Sequence, residues 1–217
     1  MLNLMIGGLA ACWMGCGPME TVPDIRSASA AGDKIAEAEE NASPPIVRAA
    51  RRQIEETTIY DPAYVRLKYP GGDVPRERGV CTDVVIRALR EGAGMDLQKL
   101  VHEDMSRAFN QYPAIWGLKK PDPNIDHRRV PNLIAFFERQ GFTVGGGKDK
   151  ANYLPGDVVT CLVGNRPHIM VVSDKTAEDG TLQVIHNIGS GVKEEAALLS
   201  FKLTGHFRVK KDGFNVP

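Results

Sequence analysis

Cysteine is scarce in this chain. There are four among 217 residues, and Cys12 and Cys16 fall in the first sixteen positions. The remaining pair, Cys81 and Cys161, form no CxxC motif and have no metal-like Cys/His spacing, so no zinc site and no metal is expected. Charge of one sign is also missing. Lys plus Arg number 27, Asp plus Glu number 27, and the net charge is zero. That excludes the basic footprint of a nucleic-acid binder and a polybasic membrane patch. No run approaches the roughly 18 apolar residues needed to span a bilayer. No internal repeat is visible. What remains, 42% hydrophobic and 25% charged residues, suits one globular domain with a substantial core and some extra length.

The extra length lies at the ends. Residues 1–16 carry a short apolar stretch ending in small residues, and Leu9-Ala10-Ala11-Cys12 resembles a bacterial lipobox. On that reading the chain is exported to the periplasm, or held at the membrane through a lipidated Cys12. Against it, no Lys or Arg precedes the stretch, and the stretch is short for a signal peptide. Without a signal the chain stays cytoplasmic. Residues 17–45 are rich in Ala, Ser, Glu and Asp and read as a flexible linker. The domain is expected over 46–210, with a tail over 211–217.

Within that domain the periodicity changes once. Helical spacing marks Ile46 to Glu56, a run from Cys81 to near Gly92, Asp96 to Asn110, and Val130 to Gln140. A short strand is expected around Tyr64 to Leu67. Tyr112 to Arg129 reads as a polar insertion containing proline. From Phe142 the pattern is β: Val158 to Val163, His168 to Ser173, Thr181 to His186, and Gly205 to Val209. Helices followed by an antiparallel sheet define an α+β fold.

The reactive group stands at the first of these boundaries. In Gly79-Val80-Cys81-Thr82-Asp83, a glycine break leads into an amphipathic helix. A thiol there faces unpaired N–H groups and the positive end of the helix dipole, which favour the thiolate. Val84, Val85, Ala88 and Leu89 share its face, so the cysteine is held rather than free. Downstream, His168 and His186 each fall on a strand. A cysteine nucleophile needs a base and a group to orient that base. A turn centred near Ala177 pairs Ser173 with Thr181 and Val171 with Gln183, which brings His168 opposite His186, with Cβ atoms roughly 5 Å apart. A slip of one residue substitutes Asn187, so His186 is the first choice and Asn187 the reserve.

Each assignment has a plainer rival. Cys81 could be an inert core thiol, and each histidine an ordinary strand residue; only their joint placement favours chemistry. Cys161, mid-strand in an apolar run, is read as core. His102 and His206 are read as structural. Asp83 suits the first helical turn, with a substrate-amine role as the alternative. Asp126, His127, Arg128 and Arg129 form a charge-dense loop, read as solvated or as a structural salt-bridge cluster, with a receptor for a substrate carboxylate as the alternative. Trp116 and Tyr112 are core or groove residues.

Taken together, these segments resemble a known group. Leu154-Pro155-Gly156-Asp157-Val158-Val159, Pro167-His168-Ile169-Met170-Val171-Val172 and Val184-Ile185-His186 are similar to the NlpC/P60 superfamily of papain-like cysteine peptidases and amidases. The closer resemblance is to the DUF1287 family. It is carried by the Cys81 segment, by Asn124-Ile125-Asp126-His127-Arg128-Arg129-Val130-Pro131-Asn132-Leu133, by His186-Asn187-Ile188-Gly189 and by Gly205-His206-Phe207-Arg208. The resemblance implies a papain-like fold and a Cys–His–polar triad mapping onto Cys81, His168 and His186. It also implies an oxyanion site that includes the Cys81 N–H, and an assisting tyrosine at Tyr60 or Tyr64. No cofactor is implied, and the substrate class is peptidoglycan or another cell-wall peptide. Val80-Cys81-Thr82-Asp83 departs from the usual Asp-Cys-Ser-Gly motif. A peptide-binding module on the same fold, or an acyltransferase or thioesterase using the same thiol, are the rival functions.

Overall fold

A computed structural model describes residues 42–145, 147 and 149–210. The lipobox-like segment, most of the linker and the 211–217 tail lie outside the described residues. Two short helices, α1 (Pro45–Arg51) and α2 (Gln53–Glu56), open the fold. Two residues each from β1 (Ile59–Tyr60) and β2 (Arg78–Gly79) then pair in parallel. Next come α3 (Cys81–Ala93), α4 (Leu97–Ala108) and α5 (Val130–Arg139). The sheet follows: β3 (Val158–Val163), β4 (Arg166–Thr176), β5 (Leu182–Asn187), β6 (Val192–Glu195) and β7 (Lys202–Phe207). Its order is β6-β5-β4-β3-β7, with every neighbouring pair antiparallel. The architecture is mixed α+β.

Local chemistry explains the helix boundaries. Asp96 caps α4 by accepting the Gln98 N–H at 3.2 Å. Pro131 occupies the first turn of α5, where its missing N–H costs nothing. Helix α3 ends at Gly94, whose φ of 71° is left-handed.

Helix α3 is central, and every residue from Cys81 to Leu89 is buried. Its apolar side chains join Val158, Ile169, Val171 and Ile185 from one face of the sheet. Met170, Val172, Val184, Val159 and Cys161 point from the other face into a second cluster with Tyr153 and Leu198. Both faces are therefore covered. This is why the strands read as nearly continuous apolar runs rather than as alternation.

Three sequence expectations need correction. No strand forms over 64–67, because the backbone there is drawn into a loop; the Leu67 N–H donates to the Asn124 side chain at 2.9 Å. The β4–β5 turn is not centred on Ala177. The Ala177 N–H bonds the Thr181 carbonyl across Glu178-Asp179-Gly180, with Asp179 Oδ1 accepting the Thr181 N–H and Gly180 at a φ of 78°. A register shift between Val172 and Thr176 then sets Val171 opposite Ile185, so His168 and His186 are not directly opposed. The displacement is two residues, which preserves the face. Strand β6 was not anticipated at all.

Candidate active site around Cys81

The segment before α3 is pinned on several sides. The Gly79 carbonyl accepts the Asn187 amide at 3.1 Å, and the Val80 N–H donates to Asp83 Oδ2 at 2.7 Å. Arg87, 1% exposed, lies beneath the preceding loop and donates to Asp73, Thr57 Oγ1 and the carbonyls of Val74 and Arg78. Cys81 is consequently the first residue of α3 in a fixed frame. It is 5% exposed, and the backbone N–H groups of Ile169, Thr82 and Cys81 itself lie close enough to favour its thiolate.

Ile169 follows His168, so the thiol rests against the strand that carries the imidazole, with Ile169 on the sheet face of Cys81 and His168, paired directly with Cys161, leaving the backbone on the other. His168 Nε2 lies 2.8 Å from His186 Nδ1, and His186 Nε2 lies 2.8 Å from Glu195 Oε1. The two rings meet edge to face, with centroids 5.0 Å apart. The pair forms despite the shifted register because long side chains reach diagonal neighbours. No hydrogen bond joins Cys81 to His168 among the described residues.

Burial sets the resting protonation. It pushes the Cys81 thiol up to about 11, against the three backbone N–H groups that pull it down. Burial, reinforced by His186, pushes His168 down to about 4. The expectation of a resting thiolate is therefore corrected. A helix terminus contributes at most about 2 kcal/mol, roughly 1.5 pKa units, whereas full burial moves a group by up to about 3–5 units. Thiol and imidazole are both neutral at rest.

The thiol opens onto a groove of about 350 Å³ lined by Tyr60, Pro62, Ile115, Trp116, Arg129, Pro131 and Pro167. A larger cavity of about 530 Å³ runs along β7, lined by Tyr153, Leu203 and Phe207 among others. It does not contain Cys81, so the thiol and not the size locates the candidate site; His168 lines neither cavity, and its neighbour Pro167 borders the groove.

The other residues singled out in the sequence divide sharply. Trp116 and Arg129 line the groove, with the Arg129 guanidinium 4.3 Å from the Trp116 ring and 3.2 Å from Asp126 Oδ1. Asp83, Asp126, His127 and Arg128 are buried. Of the readings open for the 126–129 loop, the structural salt-bridge cluster is the one that forms: Arg128 forks onto Asp83 and donates to the carbonyls of Asp61 and Ala63, and Arg129 pairs with Asp126. The first pairing also occupies Asp83 and Arg128, two of the groups proposed for substrate charges. Asn187 is committed to Gly79 and to the Gly189 N–H, so it does not reach His168. Tyr64 is 56% exposed and bonds Asp122 and Asn124 outside the groove. Tyr60 is the tyrosine beside Cys81; burial, then the charges of Cys81 and Asp83, raise its pKa. Glu195 escaped sequence reading, since its signal required knowing β6. Among the described residues no group of three or more His, Cys, Asp or Glu side chains is placed to hold a metal.

The family described as a domain of unknown function (DUF1287) matches residues 47–209. The chain belongs to this family. It is also 54% identical over 175 residues to the uncharacterized protein YijF of Escherichia coli (strain K12), covering 80% of this chain and 85% of that protein. The DUF1287 match takes in Cys81, His168, His186 and Glu195, so the whole arrangement lies inside the family domain.

Proposed function

We propose that this DUF1287 chain is a cysteine hydrolase of papain-like, NlpC/P60-like type that cleaves amide bonds in bacterial cell-wall peptides. The observation that carries the reading is the His168–His186 contact at 2.8 Å on the strand whose next residue, Ile169, sets its backbone N–H near the Cys81 thiol. In the first half-reaction, sulfur attacks the carbonyl carbon while His168 Nδ1 takes the thiol proton. The developing oxyanion is met by N–H groups of the first turn of α3. Collapse breaks the C–N bond, and His168 returns the proton to the leaving amine. Water then hydrolyses the thioester and regenerates the thiol. Starting from neutral partners, the proton moves as the bond forms and no ion pair has to persist in a buried site. Arg129, held over Trp116 at the groove, supplies the cationic contact for a substrate carboxylate, a group abundant in stem peptides. Export by the lipobox-like segment completes the proposal.

A second reading has an observation of its own. A thiol pushed up to about 11 and not bonded to His168 suits a module that binds cell-wall peptides without cleaving them. Incubation of purified peptidoglycan and of acyl thioesters with the wild type and Cys81→Ala, with products read by mass spectrometry, decides among the readings. New amines from peptidoglycan that vanish in the variant support the hydrolase. Thioester turnover alone supports an acyl-transfer or thioesterase activity. Peptide retention without products supports the binder.

A further inference from the structure

The hydrogen bonds behind His168 define a direction for its protons. A carboxylate oxygen of Glu195 only accepts, so the contact at 2.8 Å places the hydrogen on His186 Nε2. A neutral His186 then has a bare Nδ1, which must accept from His168 Nε2 across the second 2.8 Å contact. His168 carries its hydrogen on Nε2, and its Nδ1 is left with a lone pair. That is the form able to take a proton from a thiol.

We infer that Glu195 is a positioning residue that fixes the tautomers of His186 and, through it, of His168, keeping Nδ1 of His168 free to act as the base. The inference rests on the hydrolase reading for its catalytic meaning, though not for its test. Strand register supports it. His186 pairs directly with Lys193, and Glu195 pairs with Val184, so Glu195 reaches His186 along the diagonal. His186 is fully buried, and the Glu195 side chain is 44% exposed. The relay therefore begins at a solvated charge and runs through two buried imidazoles. The neighbouring Glu194 belongs elsewhere, bonded to Arg51 and Lys175. Without Glu195, the hydrogen between the two rings could sit on His186 Nδ1 instead, leaving His168 protonated on Nδ1 and unable to accept.

Two-bond ¹H–¹⁵N correlation spectra of the imidazoles, recorded near pH 8 where His168 is neutral, read these tautomers without any substrate. The wild type is expected to show hydrogen on Nε2 of both rings. Glu195→Ala is expected to move hydrogen onto His186 Nδ1 with a matching loss at His168 Nε2, and Glu195→Gln, which keeps an acceptor, to restore the original pattern. Amide spectra of the same samples verify folding. Turnover is expected to fall about 10–100-fold in Glu195→Ala, as when the partner behind a metal-bound imidazole is removed. His168 protonated on Nδ1 in the wild type, or spectra unchanged by Glu195→Ala, overturns the inference. The expected tautomers in a protein that cleaves nothing leave the relay intact and overturn the hydrolase reading instead.

Discussion

Arg128 grips both oxygens of the Asp83 carboxylate, Nε to Oδ1 at 2.8 Å and Nη2 to Oδ2 at 2.9 Å. Both side chains are at most 3% exposed. The same Oδ2 receives the Val80 N–H, so this pair joins the start of the Cys81 helix to the 126–128 turn and, through the Asp61 and Ala63 carbonyls, to the Tyr60 side of the groove.

Breaking that pair strands a buried charge. Arg128→Ala is expected to destabilise the fold by about 3–5 kcal/mol, measured by urea unfolding. Arg128→Lys cannot reproduce the fork and should recover only part of the loss. Replacing both partners by apolar residues of similar volume should cost far less than the single change. A single-variant loss below about 1 kcal/mol would contradict the role given to the pair.

Gly92 tests the packing of α1 on α3. A Cβ there would lie 2.5 Å from Ile46 Cα and 2.7 Å from the Pro45 carbonyl carbon, both backbone atoms that cannot swing aside. Alanine gains about 1 kcal/mol of helix propensity over glycine, but overpacking costs about 1–3 kcal/mol. Packing wins on balance, and Gly92→Ala should lower the midpoint of thermal unfolding rather than raise it.

Much of this was legible in the sequence, and the misses have physical causes. The break at Gly79 and the apolar face of Val84, Val85, Ala88 and Leu89 announced α3 and put a thiol at its start. The continuous apolar runs announced the sheet. Register was not legible, because the turn depends on Asp179 and Gly180 and a shift intervenes between Val172 and Thr176. Glu195 was hidden by that limit, since β6 is four residues long and largely polar. The 126–129 loop could be read as a salt-bridge cluster from its charge density, but its partner could not be named, because Asp83 is 45 residues away.

Buried neutral histidines make stability depend on pH. His127, 2% exposed with its Nδ1 unpartnered, is pushed down to about 4 by burial and then by the charges of Arg128 and Arg90. His168 is also near 4. Both values lie below the unfolded value of about 6.5, so between these limits the unfolded chain binds more protons. Stability should therefore fall as pH drops from about 6.5 to about 4, by about 1.4 kcal/mol per pH unit for each histidine. His127→Phe should flatten the slope by about one proton in urea titrations across that window. An unchanged slope would contradict the burial of a neutral His127.

The most direct test of the central claim, that His168 serves Cys81 as a base, is the rate of Cys81 alkylation by iodoacetamide against pH, read by mass spectrometry in the wild type and in His168→Ala. Cys161 is fully buried on the other face of the sheet and serves as the internal control. The account predicts wild-type labelling that is nearly flat from about pH 5 to 8, since His168 is already deprotonated there. In His168→Ala, labelling should be at least about tenfold slower at pH 6 and should climb about tenfold per pH unit with the free thiolate. Identical rates and slopes in the two proteins would contradict it and leave Cys81 as a core thiol.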